Sequence, residues 1–245
     1  MAAPACGAIM GAMMNTLDDL IARLAPDTLL RALAPDQLER LLREATRREL
    51  RPGETIISQG DEVGDFAVVV LTGGLKITMV SASGHEIILN YCGPGELVGE
   101  IAMLDSGPRT ASVTAAVPSS VLLLPSHTFL AAATANPESA AGVMRELARR
   151  VRQLNLVIES DRTFSMAPRL ARALLRLVDP ARDDGRLRYD PNQSDLGAFA
   201  GLARENVSRL ISEWEAQGIV AREGRALKVV NLAFLQTLAE FGDDA

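Results

Sequence analysis

Cysteine is scarce in this 245-residue chain. The two present, Cys6 and Cys92, belong to no C-x-x-C or mixed Cys/His pattern. That argues against zinc sites, iron-sulfur clusters and a disulfide framework, and Cys92 is expected to pack as a small apolar residue. Histidine is equally rare. His85 and His127 stand alone and read as surface or loop residues, so neither a haem-ligating set nor a metal site is expected. A nucleophile with a base, or paired carboxylates in a pocket, is also missing, which removes the usual marks of an enzyme. Long apolar runs are absent too: Phe66 to Leu71 and Val121 to Leu124 fall far short of the ~20 residues of a membrane span. The opening MAAPACGAIMGAMM lacks a basic n-region and makes a poor signal peptide. It reads as a flexible leader over 1–15, with Met13 or Met14 as an alternative start, and the expected location is the cytoplasm, with no membrane partner.

At 48% hydrophobic and 23% charged, the chain can build two modest domains with real cores. Its net charge of −6 is unevenly spread. Residues 1–143 hold 9 Lys and Arg against 16 Asp and Glu, residues 144–231 hold 16 against 12, and the last fourteen hold three acids and no base. Only the C-terminal third is positive. Phosphate contacts are local, so such a region can touch nucleic acid within an acidic protein.

Between Thr16 and Leu50, leucines recur at helical spacing, broken at Pro26 and Pro35, and predict two or three short helices. From Leu50 to Pro125 the period is two. Gly-containing turns at 51–53, 59–61, 72–74, 82–84, 92–95 and 106–108 separate short runs rich in Val, Ile and Leu, as in a β-sandwich or jelly roll. After His127 the helical period returns and holds to about Ser160. Met144, Leu147, Val151, Leu154 and Ile158 form a stripe flanked by Arg145, Arg149, Arg150 and Arg152. An identical partner would bury such a seam, and a symmetric homodimer is expected.

Gly95 to Ala116 carries the densest chemical pattern. Gly99-Glu100 leads a short apolar turn, a Gly-Pro bend follows, and Arg109-Thr110 opens an alternating strand. The first amides of a short helix and an arginine fork can grip one anion, while a carboxylate beside them can accept from a sugar hydroxyl. The cradle therefore suits a phosphorylated sugar. G-E-I-A-x-L followed by P-R-T-A resembles the phosphate-binding cassette of cyclic-nucleotide-binding domains. R-P-G-E-x-I-x-x-Q-G at Arg51 to Gly60 and L-x-G-G at Leu71 to Gly74 resemble the strands and turns of the same roll. The resemblance implies that Glu100 holds the ribose 2'-hydroxyl. Gly99 and the amides near Ile101 and Ala102 would hold the cyclic phosphate, and Arg109 with Thr110 its charged oxygens.

Gln193 to Gln217 offers a second pattern. Leu196, Phe199 and Ala200 make one apolar face, Gly201-Leu202 a tight turn, and Val207, Leu210, Ile211 and Trp214 the buried face of a second helix, a helix-turn-helix. Arg204, Glu205, Ser208 and Arg209 lie between the buried positions. Arginine can hold a guanine edge and glutamate can accept from a cytosine amine. R-E-x-x-x-R resembles the recognition helix of the cyclic-AMP receptor protein and fumarate-nitrate regulator superfamily, and Arg222 to Val230 resembles its β-hairpin wing. By that resemblance Arg204, Glu205 and Arg209 read bases. Residues 193–231 hold five bases and five acids, so useful affinity calls for two copies.

These patterns predict an α+β chain: an N-terminal cyclic-nucleotide-binding β-roll (jelly roll), a long dimerisation helix and a C-terminal winged helix-turn-helix. The expected bounds are 16–137 for the roll with its helices, 138–160 for the dimerisation helix, 161–168 for a hinge, 169–235 for the DNA-binding domain and 236–245 for an acidic tail. The resemblance implies a homodimeric transcription regulator that reads a two-fold symmetric operator on double-stranded DNA, with RNA polymerase as a candidate partner. Where the family presents a threonine-serine pair to adenine, this chain has Leu154-Asn155. Cyclic AMP is slightly preferred as effector. Thr110 is compatible with cyclic GMP, and a different or absent effector stays open.

Overall fold

A computed structural model describes residues 21, 22, 24–26, 28–179, 182, 184–224 and 226–242, apart from the side chains at 153, 156 and 160–163. The leader, Leu17, Leu20 and Arg225 of the wing lie outside the described residues. The chain divides into two compact units. One takes the residues up to Ile77 with Cys92–Arg150, and the other takes Thr78–Tyr91 with the residues from Val151 onward.

In the first unit a 3-10 turn at Leu29–Ala32 precedes helix α1 (Pro35–Glu44), whose proline occupies the first turn, where no N–H partner is needed. Leu38, Leu41 and Leu42, three and four apart, bury its inner face. Strand β1 (Thr46–Leu50) starts four residues before the change of period at Leu50. Its first four residues are exposed, so this strand carries no alternating apolar signal. β2 (Thr55–Ile57), β3 (Phe66–Thr72), the start of β4 (Leu75–Val80), β6 (Leu97–Val98), β7 (Ser112–Ala115) and β8 (Ser119–Pro125) follow in this unit, whereas the end of β4 and β5 (Glu86–Cys92) up to Tyr91 belong to the second; the strand orders are β1-β8-β3-β6 and β2-β7-β4-β5.

The run FAVVVL makes β3 a strand buried on both faces. Ala67 and Val69 join Leu29, Leu30, Leu41 and Phe129 beneath the helices, while Val68 and Val70 join Ile57, Leu75, Cys92, Val113 and Val121 between the sheets. Burying each large side chain contributes about 1.5–3 kcal/mol. Cys92 is enclosed there, and burial pushes its thiol pKa well above the ordinary range. His85 and His127 are both exposed. The helix expected to run unbroken from His127 is in fact two: α3 (Ser126–Ala133) and α4 (Pro137–Thr163), with the short α2 (Ile101–Asp105) earlier in the chain. The break is enforced by Asn136, whose side chain accepts from Ser139 N at 2.8 Å, with Pro137 opening the new helix.

In the second unit, α5 (Met166–Leu177) begins inside the expected hinge, because Pro168 falls in its first turn, where proline is tolerated. Leu170, Ala171, Leu174 and Leu177 bury its inner face. Asn192 caps α6 (Gln193–Ala200) by accepting from Asp195 N, and α7 (Arg204–Ala216) follows. β9 (Val220–Glu223) and β10 (Ala226–Val229) pair antiparallel as the wing. The expected tail is largely helical instead. α8 (Leu232–Phe241) buries Leu235, Leu238 and Ala239, and its Ala239 carbonyl accepts from Arg172 Nε of α5 at 2.7 Å. The three acids near the end hid an apolar face three and four residues apart. Among the described residues no helix is long and apolar enough to cross a membrane.

Candidate functional site

β6 delivers Gly99 at φ +84°, a backbone that side chains rarely adopt. A Cβ there would also lie 2.6 Å from Ile57 Cδ1 and 3.2 Å from Arg109 Nη1. The glycine thus lets the arginine come up against the chain. Arg109 is 4% exposed; Nη1 donates to Gly99 O and Nη2 to Phe66 O, each at 2.7 Å, and the guanidinium stands 4.9 Å from the Phe66 ring centre. Burial lowers its pKa, opposed by Asp65, whose Oδ1 lies 3.9 Å from Nη2. Among the described residues these two bonds use two of the five guanidinium donors, leaving three for an anion.

Glu100 follows directly and is 5% exposed. Its Oε1 accepts from Arg150 Nη1 on α4, and Arg150 Nε lies 3.6 Å from Glu146 Oε1. Among the described residues Glu100 Oε2 is left to accept from a further donor. Ala102 is buried and Ile101 is 46% exposed; as the first amides of α2 they have no partner within the helix. Gly99, Glu100 and Arg109 therefore gather with the start of α2, whereas Thr110 turns outward. Arg150 completes the cluster. Sequence reasoning placed it only on the flank of the stripe; its signal was a cation one helical turn before Leu154.

Leu154 and Asn155 are exposed on the part of α4 that belongs to the second unit. Met144, Val151, Leu154 and Ile158 of the stripe are half or more exposed, and Val157 is 43% exposed as well. Leu147 departs from the stripe: it packs against the core beneath the helices.

In the second unit, Gly201 ends α6 at φ +66° and ψ +37°, and its carbonyl accepts from Arg169 Nη2 at 2.8 Å. Val207, Leu210, Ile211 and Trp214 bury one face of α7. On the other face Arg204, Glu205 and Arg209 are exposed, with Ser208 half-buried. Together with Gln193 and Ser212 these four line a shallow open hollow. Gln193 comes from the preceding helix, and Ser212 lies one turn after Ser208; being short and polar, neither stood out in the sequence. Much of the positive charge is already paired: Arg209 lies 3.6 Å from Glu213, Arg222 bonds Glu215 at 3.0 Å, and Glu223 faces both Arg186 and Lys228. Among the described residues no cluster of His, Cys, Asp or Glu could hold a metal ion.

Comparison with known proteins agrees with both halves. The cyclic nucleotide-binding domain family matches residues 47–136, starting within β1, and the Crp-like helix-turn-helix domain matches residues 168–238. The Cyclic AMP receptor protein of Thermus thermophilus is 32% identical over 79% of this chain and 88% of its own length. The CRP-like cAMP-activated global transcriptional regulator of Mycobacterium tuberculosis is 28% identical over 76% and 86%. Among solved structures, a CRP/FNR family transcriptional regulator from Thermus thermophilus superposes with a TM-score of 0.65 at 25% identity, covering 80% of this chain and 98% of that one. A buried arginine cradle ahead of a winged helix-turn-helix, matched along most of both chains, places this protein in the CRP/FNR family of DNA-binding transcription regulators.

Proposed function

We propose that the regulator acts as a homodimer whose DNA binding is governed by a cyclic nucleotide, cyclic AMP before cyclic GMP, seated between Arg109, Glu100 and the first amides of α2. The observation that carries this reading is Arg109: a buried guanidinium beside Gly99 that, among the described residues, spends two of its five donors. A cyclic phosphate brings one negative charge to that fork, and charge-assisted bonds in such a site are the strong ones. Glu100 Oε2 accepts the ribose 2'-hydroxyl while Oε1 keeps Arg150. The ion pair then reports occupancy to α4, the helix with the exposed apolar stripe. For the nucleotide to switch the protein it must bind the DNA-ready state more tightly than the other. Names of the relatives that are cAMP-activated support cyclic AMP here. The stripe Met144, Val151, Leu154 and Ile158 supports a two-fold dimer, which presents two recognition helices to half-sites about one DNA turn apart.

Calorimetric titration of the purified protein with cyclic AMP and with cyclic GMP tests the cradle. Saturable heat with one of them is expected, and no heat with either removes the reading. A second reading is a regulator independent of effector: the bonds of Arg109 to two carbonyls and of Glu100 to Arg150 hold both side chains through protein contacts. Equal DNA affinity with and without nucleotide would select it.

A further inference from the structure

The chain has two tyrosines, and both sit in one cluster inside the second unit. Tyr91, near the end of β5, is 8% exposed. Its ring stacks on Tyr189 with centres 5.2 Å apart and planes at 21°. It also meets Phe199 of α6 edge-on, at 5.4 Å and 89°. From α5, Arg176 lays its guanidinium 4.5 Å from the centre of the same Phe199 ring and donates from Nη2 to Asn90 Oδ1 at 2.8 Å. Burial, with Asp195 adding to it, pushes the Tyr91 phenol above its ordinary range, as expected of an enclosed ring.

None of these side chains belongs to the nucleotide cradle or lines the hollow on α7. Their common point is Phe199. Helix α6 has only eight residues, too few to persist without tertiary packing. Its buried side chains are Leu196 and Ala200, and Phe199 is half-buried. Phe199 is the bulkiest side chain of the helix, in T-shaped contact with Tyr91 and with Arg176 laid over its ring. Gly201 and Leu202 join α6 to α7, so the seat of α6 fixes where α7 presents Arg204, Glu205 and Arg209. Residue 91 nonetheless falls inside the span matched by the cyclic nucleotide-binding domain, outside the helix-turn-helix.

We propose that Tyr91, together with Arg176, is a positioning residue for DNA reading: it seats α6 through Phe199, and through α6 the recognition helix α7. This rests on α6 and α7 being the DNA-reading pair. Two aromatic contacts are lost with the ring, so weakening of DNA binding by about tenfold or more is expected from Tyr91→Ala.

The test uses the full chain and a duplex selected from a random library by the unaltered protein. Tyr91→Ala, Tyr91→Phe, Arg176→Lys and Asn90→Ala are compared for affinity to that duplex and for amide hydrogen exchange. Tyr91→Ala is expected to bind at least about tenfold more weakly and to exchange faster over Gln193–Ala200 than the unaltered chain, with β3 unchanged. Tyr91→Phe, which keeps the ring, should restore both values, and Arg176→Lys should fall between. Unchanged or tighter DNA binding by Tyr91→Ala overturns the proposal, as does exchange that quickens equally in β3, which marks general loss of stability. If Tyr91→Ala does not fold, the exposed Arg176 and Asn90 variants decide by the same readouts. If the unaltered protein selects no duplex, the DNA-reading assignment of α6 and α7 fails first and carries this inference with it.

Discussion

Arg150 on α4 donates from Nη1 to the carboxylate of Glu100, whose side chain is only 6% exposed. One helix thus carries both the exposed apolar stripe and the cation that holds the carboxylate of Glu100. Removing that cation leaves an enclosed charge with no compensating partner, which is costly, whereas removing both partners is far less so.

Arg150→Ala should therefore lower stability by about 1–3 kcal/mol, and Glu100→Gln in the same chain should recover most of it. Urea denaturation of the two single variants and the double variant checks this. A double variant as unstable as the sum of the singles would mean that the pair is not coupled.

Arg109→Ala should abolish nucleotide heat in calorimetry. Because Gly99 O and Phe66 O lose their donor, it should also cost about 1–3 kcal/mol of stability for each carbonyl left without a partner. Arg109→Lys keeps the charge but not the planar fork, so it should retain more stability than nucleotide affinity.

Gly201→Ala places a methyl group on a residue at φ +66°, against the Arg169 guanidinium that bonds its carbonyl. A loss of about 1–3 kcal/mol is expected from the second unit, and Gly201→Asn should lose less, since asparagine tolerates this backbone better. Thermal melts followed through Trp214, the only tryptophan in the chain, resolve the difference.

Arg204→Ala should relax the preference at one base pair by about 1–3 kcal/mol, leaving affinity for unrelated duplexes nearly unchanged. Binding to a panel of single-base variants of a selected site measures it. A uniform loss across the panel would mean that Arg204 contacts only phosphate.

Leu154→Glu puts a charge in the middle of the exposed stripe. The protein should sediment as a monomer and lose most of its affinity for a two-half-site duplex, while Leu147→Glu should unfold the roll instead, since Leu147 packs against its core. Sedimentation and melting temperature separate the two outcomes.

Much of the architecture is legible in the residues because periodicity and turn chemistry are local. The two-residue period from Leu50 onward, the glycine turns, and Val207, Leu210, Ile211 and Trp214 on one face of α7 each follow from backbone geometry within a few residues, while the cassette from Gly99 to Thr110 is legible through its resemblance to a known family. The bounds were less legible where polar residues mask an element. β1 begins at Thr46 with four exposed residues, and α8 carries its apolar face into a segment that ends in acids. Asn136 divides one apparent helix by a side-chain cap that a periodicity count does not register.

By itself the sequence determined the order of roll, long helix and winged helix-turn-helix, and the residue types that can hold a phosphate and face a base. Only the tertiary structure decided which partners those residues take. Arg109 spends two donors on carbonyls, Glu100 takes Arg150 from fifty residues away, Leu147 leaves the stripe for the core, and Phe199 is gripped by Tyr91 and Arg176. The reason is physical. A period or a turn is set by neighbours along the chain, whereas the partner of a buried charge or ring is whatever distant group packing brings within a few ångströms.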